Sequence, residues 1–276
     1  MYMRFKDGKS KVLTLSYDDG VVQDIRLINI MNKYGLRGTF NINTGRYLPE
    51  NFERKKMPRR MKFSEALECY SNSRNEVAVH GMRHLDLTLL NTQAVISEVI
   101  EDRKNIEKQF GVFARGMAYP YGSYNSEVVD CLKKCGICYC RTAESTNKFD
   151  LPENWLLMHP TCHHNEPKLM EIAKEFIEGK IWHSGNIRMF CLWGHSYEFD
   201  NDDNWDVFEN FASYCGGRED VWYATNIEIY DYVCAFKNLI FSIDEKKVYN
   251  PSVIDVWINQ NEQIYCVKAG QILFME

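Results

Sequence analysis

The sequence predicts an α/β fold built on a parallel sheet or barrel. Stretches with strand character alternate with stretches of helical spacing over most of the 276 residues, the pattern of parallel α/β proteins. The first strand, residues 11–17, is a nearly continuous apolar run, as expected for a parallel strand buried on both faces. With 45% hydrophobic and 13% aromatic residues, the chain can bury one large core.

The predicted helices are recognised by their apolar spacing. In the first, residues 21–34, apolar side chains such as Ile28 and Met31 recur at helical intervals, and Gly35 ends the helix. A long helix over residues 92–110 has one charged face and one apolar face. The other predicted helices lie near residues 64–72, 126–134, 166–179 and 204–214.

The predicted strands are short apolar runs that alternate with these helices. Several of them end in polar or turn residues, which puts functional side chains at the strand ends. They cover residues 38–43, 76–80, 116–122, 137–141, 189–195 and 221–225, with a strand-like stretch at 155–159.

The chain changes character after about residue 238. Short alternating strands at 239–243, 253–258 and 264–267 are separated by turn residues. We expect residues 1–237 to form the main domain. Residues 238–276 should form a small β appendage that packs on it, because this region has no cluster of titratable residues.

The composition argues against several classes of protein. The net charge of −5, with acids and bases interspersed, predicts no nucleic-acid partner and no anionic membrane surface. No apolar run approaches the roughly 18 residues of a membrane span. Residues 1–10 lack the apolar core of a secretory signal, and ten cysteines without such a signal fit a reducing compartment. We therefore expect a cytoplasmic protein.

One basic cluster stands out in the polar segment between the second strand and the second helix. It consists of residues 54–56 together with Arg59 and Arg60. A solvated loop is the simpler interpretation. The alternative is that the cluster helps to hold an anionic substrate.

Two adjacent carboxylates, Asp18 and Asp19, follow the first strand directly, and Gly20 comes next. Ligands of α/β proteins bind where parallel strands end, so this position favours chemistry. Adjacent like charges also cost energy unless a cation or separate roles justify them. An ordinary turn is the alternative, because Asp-Asp-Gly is common turn composition.

A pair of histidines follows the strand at residues 76–80. His80 ends the strand and His84 comes four residues later, a spacing that points both imidazoles the same way on a helical turn. Together with Asp19 they offer three N and O ligands and leave a fourth position for water, as in a catalytic zinc site. The alternative is a chance pair, since surface helices also carry such histidines.

Three spaced motifs carry a resemblance to a known family. The sequences TLSYDDG (14–20), HGMRH (80–84) and YPYG (119–122), in this order, resemble the motifs of the NodB-homology polysaccharide deacetylases, carbohydrate esterase family four. The resemblance spans about residues 11–235. It implies a distorted (β/α) barrel of about seven strands, with a divalent metal, commonly zinc, at the C-terminal rim.

The resemblance also implies roles for single residues. Asp19, His80 and His84 correspond to the metal ligands, and Asp18 corresponds to the catalytic base. The backbone N–H of Tyr121 matches the oxyanion donor. The late motif CLWGH (191–195) provides the acid, His195.

These roles suit the hydrolysis of an amide. The reaction needs an activated water, stabilisation of charge on the carbonyl oxygen, and a proton for the leaving nitrogen. Zinc lowers the pKa of bound water toward ~7, so that Asp18 can remove a proton near neutrality. An oxyanion donor such as the Tyr121 N–H is worth roughly 3 kcal/mol. His195, with an ordinary pKa near ~6.5, is suited to protonate the amine.

Several positions depart from the family pattern. Ala118 stands where the family has an arginine that orients the base, and Arg115 and Arg141 are the candidates to replace it. Trp193 stands where the family has a leucine, which predicts a smaller or differently shaped acyl pocket. The family's Asp-to-Trp motif has only a loose counterpart, one residue longer, that ends in Trp155.

Further residues are candidates for the substrate pocket or for supporting roles. Either His163 or His164 could contact substrate, although a structural or loop histidine is the more ordinary interpretation of each. Glu198 and Asp200 are candidates to orient the His195 imidazole, or else belong to a solvated loop. The candidates for the pocket wall are Tyr119, Trp155, Trp193 and His164.

The sequence thus predicts a metal-dependent hydrolase that removes an acetyl or other acyl group from an N-acetylated sugar, oligosaccharide or polysaccharide. Zinc is the expected metal, and a carbohydrate or small N-acyl compound is the expected partner. One alternative is hydrolysis of another non-peptide C–N bond, in a cyclic ureide, an imide or a small amide; the intact ligand set disfavours the ureide and imide. Another is an inactive carbohydrate-binding relative, which Ala118 favours. The sequence sets no oligomeric state.

Overall fold

The computed structural model describes residues 1–53, 59–71, 73–180 and 186–275. It is an α/β structure, as predicted. The strands are β1 (Tyr2–Arg4), β2 (Lys11–Asp18), β3 (Gly38–Ile42), β4 (Glu76–Val79), β5 (Gly116–Ala118), β6 (Tyr139–Arg141), β7 (Cys162–His163), β8 (Arg188–Gly194), β9 (Val221–Tyr223), β10 (Ile240–Phe241), β11 (Lys247–Tyr249), β12 (Val256–Gln260), β13 (Gln263–Val267) and β14 (Ile272–Phe274). The helices are α1 (Asp24–Lys33), α2 (Phe63–Ser71), α3 (Thr92–Phe110), α4 (Ser126–Lys134), α5 (Leu169–Glu178), α6 (Glu198–Asn201), α7 (Trp205–Cys215) and α8 (Asn226–Lys237).

A curled parallel sheet forms the centre of the molecule. Among the described residues, seven strands run in the order β6-β5-β4-β3-β2-β8-β7, and β9 pairs with the first part of β2. All of these pairings are parallel. This confirms the predicted distorted barrel of about seven strands.

Strand β2 holds the middle of the sheet. It pairs with β8 from Lys11 to Tyr17 and with β3 from Leu15 to Asp18. All eight of its residues are buried, which accounts for its apolar sequence. The strand therefore ends with the Asp18 carboxylate inside the rim of the barrel.

The gap between the two ends of the sheet is bridged by a short segment of chain. Met158 forms an isolated parallel bridge with Arg141 of β6, and a few residues later Cys162 pairs with Leu192 of β8. The stretch predicted as a strand at 155–159 is instead a 3₁₀ turn, Trp155–Leu157, followed by that single bridge residue. The prediction was wrong here because apolar spacing over five residues does not separate a strand from a tight turn.

Local sequence signals explain where the long helices begin and end. The Asn91 side chain accepts a hydrogen bond from the N–H of Ala94 at the start of α3, and Gly111 ends that helix with a φ of 67°. Thr225 and Glu228 form a capping box at the start of α8. These caps fix the helices that cover the sheet.

The small β region contains both ends of the described chain. Strand β1 pairs with β12, and β12 pairs with β13, while β10, β11 and β14 form a second sheet. The division expected at residue 238 therefore separates β1 from its sheet partner. Val256 and Val267 pack in the same buried cluster as Ile229 of α8. In contrast, the Phe274 side chain is 72% exposed and does not belong to this buried cluster.

Other features of the chain bear on the sequence-based expectations. Within the ranges described above, no helix has the length and apolar character needed to cross a membrane. All ten cysteines are free thiols. Residues 54–56 of the basic cluster lie outside the described residues, whereas Arg59 and Arg60 lie within them.

Candidate metal centre and active site

A cavity of about 290 Å³ lies at the C-terminal ends of the parallel strands. Strands β2, β4, β5, β6 and β8, or the loops that follow them, all contribute to it, so residues far apart in sequence meet there. Its lining consists of Asp18, Asp19, His80, His84, Tyr119, Tyr121, Gly122, Arg141, Ala143, Trp193, His195 and Tyr197.

Asp19, His80 and His84 form a compact group of potential metal ligands. One ligand atom from each lies within 4.8 Å of the others. Asp19 Oδ1 is 3.4 Å from His84 Nε2 and 4.0 Å from His80 Nε2. Two imidazole nitrogens and one carboxylate oxygen are the donor set of a zinc site with an open position.

The tautomer of His80 fits a metal ligand. Its Nδ1 lies 2.9 Å from the carbonyl oxygen of Ala118, and because a carbonyl can only accept, Nδ1 must carry the proton. The Nε2 lone pair is then free, and this buried atom has no hydrogen-bond partner. Burial lowers the pKa of His80, which keeps the ring neutral as a ligand must be.

The two histidines are held by a turn and not by the helical turn expected from their spacing. Gly81 has a φ of 75° and His84 a φ of 58°, so the chain reverses between the two rings. Asn43 Nδ2 donates to the carbonyls of His80 (2.6 Å) and Gly81 (2.7 Å). Buried Asp102 of α3 accepts from the His80 backbone N–H at 3.1 Å. The two rings thereby meet edge to face, with centroids 4.8 Å apart.

Asp19 is held in an unusual backbone conformation. Its φ of 87° is rare for a residue with a side chain, and such strain persists where surrounding contacts impose it. Arg60 supplies those contacts. It pairs with Asp19 Oδ1 at 3.0 Å and also donates to the Asp19 carbonyl and to Asn43 Oδ1. The sequence pattern predicted no role for Arg60 at the ligands, because Arg60 lies in a loop without a periodic signal.

Arg141 takes the place of the arginine that is missing at Ala118. Ala118 of β5 and Arg141 of β6 are register partners on neighbouring strands. The buried Arg141 Nη2 donates to Asp18 Oδ2, and its Nε donates to Ser16 Oγ at 3.1 Å. Arg115, the other candidate, instead pairs with Asp231 at 2.6 Å.

The Asp18 carboxylate is held in its ionised form. Burial alone would raise its pKa, but the charge and hydrogen bond of the Arg141 guanidinium, together with nearby His195, outweigh burial and lower the pKa to about 2. Asn41, the register partner of Asp18 on β3, donates to Oδ1 at 2.9 Å. The prediction from sequence missed Asn41, although a polar residue inside a buried strand is a detectable signal.

His195 lies with its imidazole next to Glu198. Its Nδ1 lies 3.4 Å from Glu198 Oε1, and its backbone N–H donates to Glu198 Oε2 at 3.1 Å. Burial opposes protonation of His195, but the carboxylates of Glu198 and Asp18 outweigh it and raise its pKa. Asp200, the other candidate, accepts from the side chains of Gln23 and Trp205 instead.

Glu198 also gathers His163 and His164. Both Nε2 atoms lie near its Oε2, at 3.1 Å and 3.2 Å. These three residues are close enough to hold a metal, but the tautomer of His163 argues against it. Its Nδ1 accepts the backbone N–H of Asn165, so Nε2 carries the proton and faces the carboxylate as a donor. The Glu198 carboxylate therefore lies between a donating His163 and a buried His164 whose ring nitrogens have no hydrogen-bond partner among the described residues.

The predicted pocket residues divide into two groups. Tyr119 and Trp193 belong to the cavity wall, and the Trp193 ring lies against the guanidinium of Arg141 at 4.6 Å. His164 does not reach the cavity, because it is fully buried and stacks on Phe199 at 4.1 Å. Trp155 also lies elsewhere. Its turn directs the indole toward α8, where it packs edge-on against Tyr230.

Tyr121 borders the cavity at the turn after β5. Its φ of 59° places it in the left-handed region, and its ring packs edge-on against His84 with centroids 4.6 Å apart. The side chain is 68% exposed, so the ring stands at the mouth of the cavity. Through this ring contact Tyr121 borders the ligand group at His84.

Residues 5–140 match the family model described as polysaccharide deacetylase. The chain therefore carries a polysaccharide deacetylase domain. The matched range includes Asp18, Asp19, His80, His84 and Tyr121, but it ends before Arg141 and His195. No curated protein matches the chain.

Solved structures of deacetylases share the fold at low sequence identity. A Mycobacterium smegmatis protein assigned as a polysaccharide deacetylase is 15% identical, with a TM-score of 0.60 over 86% of this chain and 95% of its own. The chitin deacetylase of Colletotrichum lindemuthianum is 15% identical, with a TM-score of 0.52 over 83% and 89%. A family 4 acetyl xylan esterase of Clostridium thermocellum, solved with a cobalt ion, is 13% identical, with a TM-score of 0.50 over 80% and 90%.

The Arg141→Ala substitution should lower the free energy of unfolding by about 3 to 5 kcal/mol, because it leaves the Asp18 charge buried without its partner. Chemical denaturation monitored by circular dichroism measures this change. Arg115→Ala is the matched control, and its half-exposed pair with Asp231 should be worth less than about 1 kcal/mol. Equal losses of unfolding free energy in the two variants would contradict a strong buried ion pair between Arg141 and Asp18.

Proposed function

We propose that this protein is a metal-dependent hydrolase that removes an acetyl or other acyl group from an N-acetylated sugar, oligosaccharide or polysaccharide. One observation carries the proposal. A single cavity holds the three-residue ligand group, the ionised Asp18 and the imidazole of His195. Those are the parts that hydrolysis of an unactivated amide requires, and the chain carries a polysaccharide deacetylase domain.

Asp19, His80 and His84 would hold the metal, for which zinc is our choice. The free Nε2 lone pair of the buried His80 supports this fit, and the cobalt ion in the acetyl xylan esterase is consistent with a divalent cation. When bound, such a cation acidifies water and polarises the acyl carbonyl.

The remaining steps belong to side chains and backbone of the cavity. Asp18 accepts the proton of the attacking water as the new C–O bond forms. The Tyr121 N–H donates to the carbonyl oxygen as negative charge develops on it. His195 gives its proton to the nitrogen as the C–N bond breaks, so that the products are a carboxylic acid and a free amine.

The two titrating groups are set for opposite tasks. Asp18, with its pKa lowered to about 2, is ionised at neutral pH and can act only as a base. His195 has a raised pKa and keeps its proton nearer to neutrality, as an acid must. The contact of Arg141 with Asp18 supports an active enzyme over the inactive binding protein that Ala118 favours. A cytoplasmic location stays a prediction.

Zinc should bind at one site per chain, and His84→Ala should abolish or greatly weaken that binding. Isothermal titration calorimetry of the apo protein measures it, with the bound metal counted by atomic emission. His163→Ala is the control, because its Nε2 carries a proton and faces Glu198. If His163→Ala removed the zinc and His84→Ala kept it, our assignment of the ligands would be wrong.

Zinc-loaded protein should release acetate from N-acetylated glycans or chito-oligomers. Asp18→Asn should reduce kcat by about 10² to 10⁴, the range for a lost general base, while zinc remains bound. Acetate is measured enzymatically, and the zinc content of the variant is measured in parallel. Failure to release acetate from any N-acetyl or O-acetyl substrate in a broad panel would refute the deacetylase function.

The Glu198→Gln substitution should move the basic limb of the pH dependence of kcat/KM to lower pH. The reason is that His195 must be protonated to act, and loss of the Glu198 charge lowers its pKa. Asp200→Asn is the control, since Asp200 bonds to Gln23 and Trp205. If the basic limb did not shift in Glu198→Gln, Glu198 would not be the group that raises the pKa of His195.

A further inference from the structure

Arg59 presents a guanidinium at the edge of the cavity. Its Cζ lies 4.0 Å from the centroid of the Tyr197 ring, and Tyr197 lines the cavity. Its Nη2 donates to Asn201 Oδ1 at 3.4 Å. Stacking on an aromatic ring fixes the plane of the guanidinium and leaves its other N–H donors available.

The charge of Arg59 has no acidic partner in the part of the chain that the structure describes. Its neighbour Arg60 pairs with Asp19, but no ion pair joins Arg59 to a carboxylate. A guanidinium held in place without a counter-ion is the natural receptor for a carboxylate or phosphate, which it can bind through two parallel N–H groups.

The rest of the cavity strengthens this preference for anions. The charges of the acidic and basic side chains at the cavity cancel in pairs. The pairs are Arg141 with Asp18, Arg60 with Asp19, and a protonated His195 with Glu198. A divalent cation on the ligand group would therefore add positive charge that no side chain of the lining offsets. Such a field concentrates negatively charged substrates at the site.

Arg59 also lies on the side where the sugar must sit. In the proposed reaction His195 protonates the leaving nitrogen, which remains attached to the sugar. The Tyr197 ring lies next to His195, with centroids 5.3 Å apart, and carries Arg59 on it. The sugar substituents, and not the acyl group, therefore point toward Arg59.

We propose that Arg59 binds an anionic substituent of the substrate, so that the preferred substrates are N-acylated sugars carrying a carboxylate or a phosphate. This inference rests on the proposed function and names the class of sugar on which it acts. Arg59 is then a specificity-determining residue, because it touches a group remote from the bond that breaks.

The test compares kcat/KM for three N-acetylated substrates on the zinc-loaded enzyme: a neutral chito-oligomer, an N-acetylmuramic acid derivative with its carboxylate, and N-acetylglucosamine 6-phosphate. Arg59→Gln should lower kcat/KM roughly tenfold for whichever anionic substrate the wild type prefers, with a much smaller change for the neutral one. Arg59→Lys should recover part of the loss, since lysine keeps the charge but not the two parallel donors.

Arg218→Gln is the matched control. Arg218 also stacks on a tyrosine, Tyr214, at 4.9 Å, but it lies in the loop before β9, at the opposite end of the sheet from the cavity. It should not change the preference between substrates. The anionic preference should also fall with added salt.

Two results would overturn the inference while leaving the proposed function intact. One is a wild-type enzyme that prefers the neutral substrate, and the other is an Arg59→Gln variant that affects all three substrates equally. Absence of acyl release from all three, together with the wider panel, would instead refute the proposed function itself. The preference between the two anionic substrates distinguishes carboxylate from phosphate recognition.

Discussion

The buried ion pair between Asp18 and Arg141 sets the geometry and charge of the site. Both side chains are almost completely buried, where a lone carboxylate would take up a proton. Arg141 keeps Asp18 ionised, and it also donates to Ser16 and Thr142. The contacts with Asp18 and Ser16 tie β2 to the end of β6. The pair therefore costs desolvation energy but fixes an ionised carboxylate at one point of the rim.

The register of the sheet explains how Arg141 can contact Asp18 in place of an arginine at position 118. Ala118 and Arg141 are opposite each other on neighbouring parallel strands, so a side chain from either position can enter the same part of the rim. The small side chain at Ala118 leaves room for a guanidinium that arrives from β6. Trp193 then covers the guanidinium from the side of β8. The departures at positions 118 and 193 are thus parts of one arrangement.

The sequence predicted the features that depend on local pattern. The α/β alternation, the buried strand β2, and the gathering of Asp18, Asp19, His80 and His84 at one rim all follow from strand ends. Features that depend on tertiary contacts were out of reach. The choice of Arg141 over Arg115 as the partner of Asp18 depends on the register between β5 and β6. The approach of His163 and His164 to Glu198 depends on how two loops fold. The pairing of β1 with β12 joins residues from the two ends of the chain. The prediction for Trp155 was wrong for another reason. Its loose match to the family motif did not indicate the direction in which the turn points the indole.

The most direct test of this account is the activity of the double variant Ala118→Arg/Arg141→Ala beside Arg141→Ala alone. We predict that the single variant loses deacetylation, because Asp18 is no longer held as an ionised base. The double variant should recover a substantial part of kcat, since the new arginine enters the same rim from β5. Full activity of Arg141→Ala on its own would contradict the central claim.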